Sequence, residues 1–255
     1  MPPQNKPDLA SVTLVAITSV ARDATVKAML RSLDQASFKK ALFLSDQPPR
    51  GSLGDEIEWR RIMPLRSKED YSNFVLRRLN DHIDTSHALI TQWDSFILDG
   101  RAWDGHFLDY DYIGAPWPHF SDLKKVGNGG FSLRSKRLLE ACVNLAEMPG
   151  EAEDVQICRI FREHLEQCHG LQFAPEEIAR QFAFERSARL GTEFGFHGVF
   201  NMIDVMPPAE FAGLLASLEA GVIGRIERRE ILVKAFKGRN WSILLQALAS
   251  RLWPA

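Results

Sequence analysis

Three sets of side chains in this 255-residue chain have types and spacings that could do chemistry: Asp94, His197, and the acidic pair Glu153 and Asp154. Asp94 follows the apolar run Ala88-Leu89-Ile90. Such a run reads as a buried strand, and open α/β sheets bind ligands beyond the C-terminal ends of their strands. A carboxylate placed there suits Mg²⁺ or Mn²⁺, which take hard oxygen ligands and bridge to phosphates. The same residue also suits a cap on the turn that follows. His197 lies in Phe194-Gly195-Phe196-His197-Gly198, where an imidazole could ligate Mn²⁺, donate to a phosphate, or serve a purely structural purpose.

Between these two positions comes Gly127-Asn128-Gly129-Gly130-Phe131-Ser132-Leu133-Arg134. Its glycines either form a plain turn or let backbone N–H groups face a ligand that side chains would block, with Arg134 near enough to hold an anion. The loop has neither a Walker pattern nor G-x-G-x-x-G. Glu151-Ala152-Glu153-Asp154 opens a helical stretch and could be no more than a charge cluster favoured by the helix dipole. A carboxylate near the glycine loop could instead take a hydroxyl proton, with Asp154 the first choice as base and Glu153 the second.

The elements that must position these groups follow from periodicity. The run Val12–Ile17 reads as a central parallel strand, with a helix near 24–37, strands at 41–44 and 57–62, and a capped helix starting from Ser67 and continuing to about 83. Strands at 88–92 and 111–116 follow, then helices at 135–147 and 154–167, a strand at 171–174 and a helix at 175–184. Residues 207–255 read as helical throughout, starting at Pro207-Pro208. Trp93, Trp103 and Trp117 suit either sugar stacking or the core. This pattern predicts an α/β fold with a mixed, Rossmann-type sheet flanked by helices. Its expected divisions are a flexible N-terminus at 1–10, a main domain at 11–205 and a helical C-terminal extension at 206–255.

The net charge of −2 hides an uneven distribution, since residues 221–255 carry seven Lys or Arg against Glu227 and Glu230. That makes the tail +5 and the remainder −7, which argues against a nucleic-acid partner. The basic tail, ending near Trp253, suits either a peripheral contact with an anionic membrane or a helix packed on the domain. Three cysteines without metal-ligand spacing (Cys142, Cys158, Cys168) predict buried, reduced thiols. The start of the chain has no signal-peptide pattern, so the expected location is the cytoplasm, or the periphery of the inner membrane if the tail binds lipid.

Taken together, Gln92-Trp93-Asp94-Ser95, Phe107–Trp117, the glycine loop, Glu153-Asp154-Val155 and Phe194–Asn201 resemble a bacterial family of unknown function assigned to the GT-A glycosyltransferases. The resemblance spans about residues 12–203. It implies a GT-A-like domain that moves a sugar from a nucleotide-diphosphate donor, UDP-sugar first, to a hydroxyl acceptor such as a bacterial glycan or glycolipid. It also implies Mn²⁺ or Mg²⁺ held by Asp94 and His197, and Asp154 as the catalytic base. The family's Asp-x-Asp pattern has Gln92 in place of its first acid, which thins the metal's ligand set. On this reading Thr18, Ser19 and Asp46 face the nucleoside from strand ends, Tyr71 and Asn73 close the wall, and Gln92, Trp93, Asn128, Gly129, Gly130 and Arg134 complete the donor site. The competing functions are a sugar-phosphate nucleotidyltransferase and a non-catalytic carbohydrate or nucleotide-sugar binder.

Overall fold

A computed structural model describes residues 6–249, without the side chains of residues 248 and 249. Its main sheet contains six strands: β1 (Asp8–Thr18), β2 (Ser37–Ser45), β3 (Ile57–Arg61), β4 (His87–Thr91), β6 (Tyr112–Gly114) and β7 (Phe131–Ser135). They lie in the order β3-β2-β1-β4-β7-β6. The first four in that order run parallel, and β7 is antiparallel to both β4 and β6. A second sheet joins β5 (Ser95–Ile97), β8 (Ala183–Phe184) and β9 (Gly195–His197) in the order β5-β9-β8. The expected mixed α/β sheet flanked by helices is the fold observed.

Alternation along the central strands sends side chains to two cores. Leu14, Ala16, Phe43 and Leu89 pack with Val26, Met29 and Leu33 of α1 (Arg22–Gln35). Val15, Ile17, Leu42, Leu44 and Ile90 pack with Val75 of α2 (Lys68–Arg77) and Leu139 of α3 (Lys136–Cys142). Strands buried on both faces read as near-continuous apolar runs, which is why their sequence pattern is clear. Helix α2 begins where expected: Ser67 Oγ accepts from Asp70 N at 3.0 Å, and Asp70 Oδ2 accepts from Arg66 N at 2.7 Å. Replacing Ser67 with Ala should cost about 1 kcal/mol in urea unfolding, with no change in the slope of the transition.

Several expected boundaries move. Asp8–Ala10 lie in β1 rather than in a loose N-terminus, while residues 1–5 fall outside the described residues. The helix expected at 154–167 is broken into α4 (Glu153–Val155), a π turn at Gln156–Ile160 and α5 (Arg162–His169), because Phe161 N bonds back five residues to Gln156 O. The strand expected at 171–174 shrinks to one bridge between Tyr112 and Phe173, followed by α6 (Glu176–Phe182). Among the cysteines, Cys142 and Cys158 are buried and Cys168 is exposed, where the sequence predicts three buried thiols.

The chain after His197 forms α7 (Val199–Val205), α8 (Pro208–Ser217), α9 (Arg225–Lys237) and α10 (Trp241–Ala249), with breaks near Gly221, Gly224 and Gly238 rather than continuous helix. Phe211, Leu215, Ile231 and Ile243 from these helices share a core with Ala24, Ala28, Phe96 and Phe196. Thus α10 is packed on its neighbours, while Trp253 falls outside the described residues. No helix among the described residues is long and apolar enough to cross a membrane.

Candidate functional site at the ends of β1 and β4

Strand order reverses between β1 and β4, so the crevice beyond their C-terminal ends is where a sheet of this kind takes ligands. Two cavities open there. One, of about 510 Å³, is lined by Thr18, Ser19, Arg66, Tyr71, Gln92 and Trp93 among others. The second, of about 380 Å³, includes Gln92, Asn128, Glu153, Asp154, Glu185 and His197. Lys68, Tyr71 and Gln92 border both, so the two form one cleft.

Sheet register brings the distant motifs together. Because β5 pairs antiparallel with β9, Ser95 stands opposite His197, which sets the histidine beside Asp94. His197 Nε2 lies 3.6 Å from Asp94 Oδ1 and 3.3 Å from Gln92 Oε1. On the other side of the ring, Nδ1 lies 3.4 Å from Glu185 Oε1 and 3.2 Å from Asn128 Nδ2. Asp94 is buried and also caps α7, its Oδ2 accepting from Val199 N at 3.0 Å, so it caps a helix 105 residues downstream rather than the next turn.

Two carboxylates around one imidazole, Asp94 buried and Glu185 half-buried, decide its charge. Burial would lower the His197 pKa, but the adjoining carboxylates of Asp94 and Glu185 outweigh it and hold the pKa at about 10. Glu185 responds in the opposite sense: burial would raise its pKa, while the hydrogen bond and charge of His197 bring it below the usual carboxylate range. His197 therefore carries its proton at neutral pH. Its contribution to stability is complete below the ordinary value of 6.5 and is lost as the pH rises through about 10. An NMR titration of the ring should place the His197 midpoint near 10; a midpoint near 6.5 would remove the paired imidazolium.

Asn128, Gly129 and Gly130 of the glycine loop border the cleft, and the side-chain positions of the two glycines are filled by protein. A Cβ at Gly130 would collide with the His197 ring, and one at Gly129 would collide with Glu153 Oε1. On those sides the glycines make room for protein side chains rather than for a ligand. The loop is held by Ser95 Oγ donating to Gly130 O at 2.8 Å and by Gly130 N donating to Asn128 Oδ1 at 3.2 Å. Asn128 sits in the left-handed region at φ 64°.

Asp154 accepts from Gly129 N at 2.9 Å through Oδ2 and from Val155 N at 2.8 Å through Oδ1, which orients its carboxylate at the cavity wall. Glu153 borders the same cavity but is tied to Arg134 Nη2 at 2.9 Å. Burial, then the charge of Asp154, raise the Glu153 pKa against the pull of Arg134.

Three expected donor residues lie elsewhere. Arg134 is fully buried, stacked over Tyr112 at 5.1 Å and paired with Glu153, so its anion is internal. Asn73 is exposed, because it lies two residues, about 200°, around α2 from Tyr71. Asp46 faces Arg22 at 3.9 Å and borders neither cavity of the cleft. Thr18 and Ser19 do line the cleft, although their hydroxyls are engaged with Val20 and with Leu65 N. Trp93 and Trp117 line it as well, and Trp103 packs against Phe107 and Phe194 in the core.

Two residues at the cleft were not singled out in the sequence. Lys68 borders both cavities from the first turn of α2, where a cation opposes the helix dipole, and that misfit was a readable signal. Glu185 follows the aromatic strand β8 as Asp94 follows β4, a weaker signal of the same kind.

A family model described as a protein of unknown function, DUF5672, matches residues 57–197, more than half of the chain. The chain belongs to this family. The DUF5672 match takes in Gln92, Asp94, the glycine loop, Asp154 and Glu185, and ends on His197. No curated protein matches the chain. Among solved structures, this DUF5672 member is similar to the galactosyltransferase LgtC in complex with donor and acceptor sugar analogs, at 12% identity and a TM-score of 0.45, covering 86% of this chain and 99% of that one. An active-site mutant of LgtC is similar at 12% identity and a TM-score of 0.44, with the same coverage.

Proposed function

We propose that the chain is a glycosyltransferase that moves a sugar from a nucleotide-diphosphate donor, UDP-sugar first, to a hydroxyl acceptor of glycan or glycolipid type. The observation that carries this reading is the meeting of Gln92, Asp154 and His197 around one cleft at the ends of β1 and β4, with Asp94 buried just behind the His197 ring at 3.6 Å. The cavity bordered by Thr18, Ser19 and Trp93 takes the nucleoside, and Lys68, where the two cavities join, faces the diphosphate as a cation. Asp154 accepts the acceptor hydroxyl's proton, its oxygens aligned by two backbone N–H groups.

Asp94 Oδ1 is buried without a hydrogen-bond partner, and with Gln92 Oε1 and His197 Nε2 it offers three donors that fit Mn²⁺ or Mg²⁺. Among the described residues no group of three His, Cys, Asp or Glu could hold a metal, so the set reaches three only through the neutral amide of Gln92. Bound there, the ion would neutralise charge on the departing diphosphate. Binding it requires His197 to give up its proton, so affinity should rise with pH. The working location proposed is the cytoplasm or the inner-membrane surface.

A thermal-shift series with UDP, with and without Mn²⁺, tests the reading. UDP at about 100 times its Kd should add about 2.7 kcal/mol to stability, and Asp94→Ala should remove the Mn²⁺-dependent part. No stabilisation by any nucleoside diphosphate would end the donor-site reading. The neutral Gln92 and the protonated His197 also favour a second reading, a binder without turnover. Stabilisation by UDP with no release of UDP from a UDP-sugar, in the presence of hydroxyl acceptors, would select it.

A further inference from the structure

Glu185 borders a second and larger cavity as well as the cleft, a groove of about 760 Å³ lined by Arg186, Phe200, Arg225, Ile226, Arg229 and Val233 among others. A volume of this size suits a ligand of small-molecule dimensions. The groove's charges are uneven. Arg186 is matched by Glu230 at 2.7 Å, Lys234 by Asp204 at 2.6 Å, and Glu185 by His197 at 3.4 Å. Arg225 and Arg229, four residues apart on one face of α9, are exposed and form no ion pair among the described residues. The groove therefore presents two unmatched guanidinium groups, whose planar forks suit phosphate oxygens. Beside them, Ile226 and Val233 are 67% and 44% exposed, an apolar strip next to the cationic pair. A purely anionic ligand would leave that strip in water, and a purely apolar one would leave both arginines without a partner.

We propose that this groove binds an amphiphilic phosphate, with the phosphate on Arg225 and Arg229 and the apolar body along Ile226 and Val233. Resting on the glycosyl-transfer reading, this ligand is the acceptor: a sugar linked through phosphate to a hydrocarbon chain, reaching the cleft past Glu185, which borders both spaces.

The test is calorimetric binding to the full chain, with decyl phosphate below its micelle concentration as probe and glycerol phosphate and decyl maltoside as controls. Decyl phosphate should bind best, and the double variant Arg225→Gln/Arg229→Gln should bind it at least about tenfold more weakly with an unchanged thermal midpoint. Equal affinity in the variant would overturn the proposal, as would equal binding of glycerol phosphate or decyl maltoside to the unaltered chain. Displacement of decyl phosphate by UDP would overturn it too, by placing the probe in the donor cleft. If UDP fails to bind while the arginine-dependent site persists, the groove stands and the donor reading falls, so the two failures can be told apart.

Discussion

If the proposed glycosyl transfer holds, Asp154→Asn should lower its rate by about 10²–10⁴-fold, the range typical of a lost general base, while UDP binding stays within about twofold. The expectation rests on position. Asp154 stands at the wall of the cavity that also holds His197 and Gln92, and Gly129 N and Val155 N fix its two oxygens. Asparagine keeps the shape and one acceptor oxygen but cannot take a proton. The loss should therefore appear in kcat rather than in donor affinity, and the acidic limb of the pH–rate profile should disappear with it. Single-turnover transfer from UDP-sugar measures the chemical step directly. A variant with full turnover would remove Asp154 as the base, and a loss confined to KM would make it a binding residue. Glu153→Gln is the matched comparison, because Glu153 borders the same cavity but spends one oxygen on Arg134. A larger loss there than at Asp154 would exchange the two assignments.

The framework that holds Asp154 was legible in the sequence wherever one local rule sufficed. Apolar runs buried on both faces announced β1, β2 and β4, and Ser67 with Asp70 announced the start of α2. Asp94 and His197 could be singled out by their flanks, and register across β5 and β9 then brings them to 3.6 Å. What stayed hidden depends on residues far apart in the chain. Gly130 reads as space for a ligand until His197, 67 residues later, is seen to fill that space. Arg134 reads as a free anion binder because nothing local shows Glu153 arriving beside it from α4. The π turn after α4 is equally silent, since its apolar positions continue to fit an ordinary helix. Charge pairing and steric complement are properties of the folded surface, and a single sequence records only one side of each.

Arg134→Met should be among the most damaging single changes in the fold, lowering unfolding stability by about 3–5 kcal/mol, the usual cost of removing one partner from a buried ion pair. Arg134 is 0% exposed, and its Nη2 holds Glu153 Oε1 at 2.9 Å. Without the guanidinium, burial and the charge of Asp154 would press Glu153 toward its neutral form, which its raised pKa already favours. The consequence reaches the site, because Glu153 Oε1 occupies the space beside Gly129, whose N–H aligns Asp154. A weakened pair should thus loosen Asp154 as well as the core. The double variant Arg134→Met/Glu153→Gln separates the two effects. With no unpaired charge left behind, it should recover a large part of the lost stability, while transfer activity stays low because the side-chain packing beside Gly129 is altered. Chemical unfolding of both variants beside the unaltered chain measures this. A single variant that loses less than about 1 kcal/mol, below the range for a buried pair, would show that the pair does not hold the core at this point. A double variant no more stable than the single one would place the damage in lost packing over Tyr112 rather than in the stranded carboxylate.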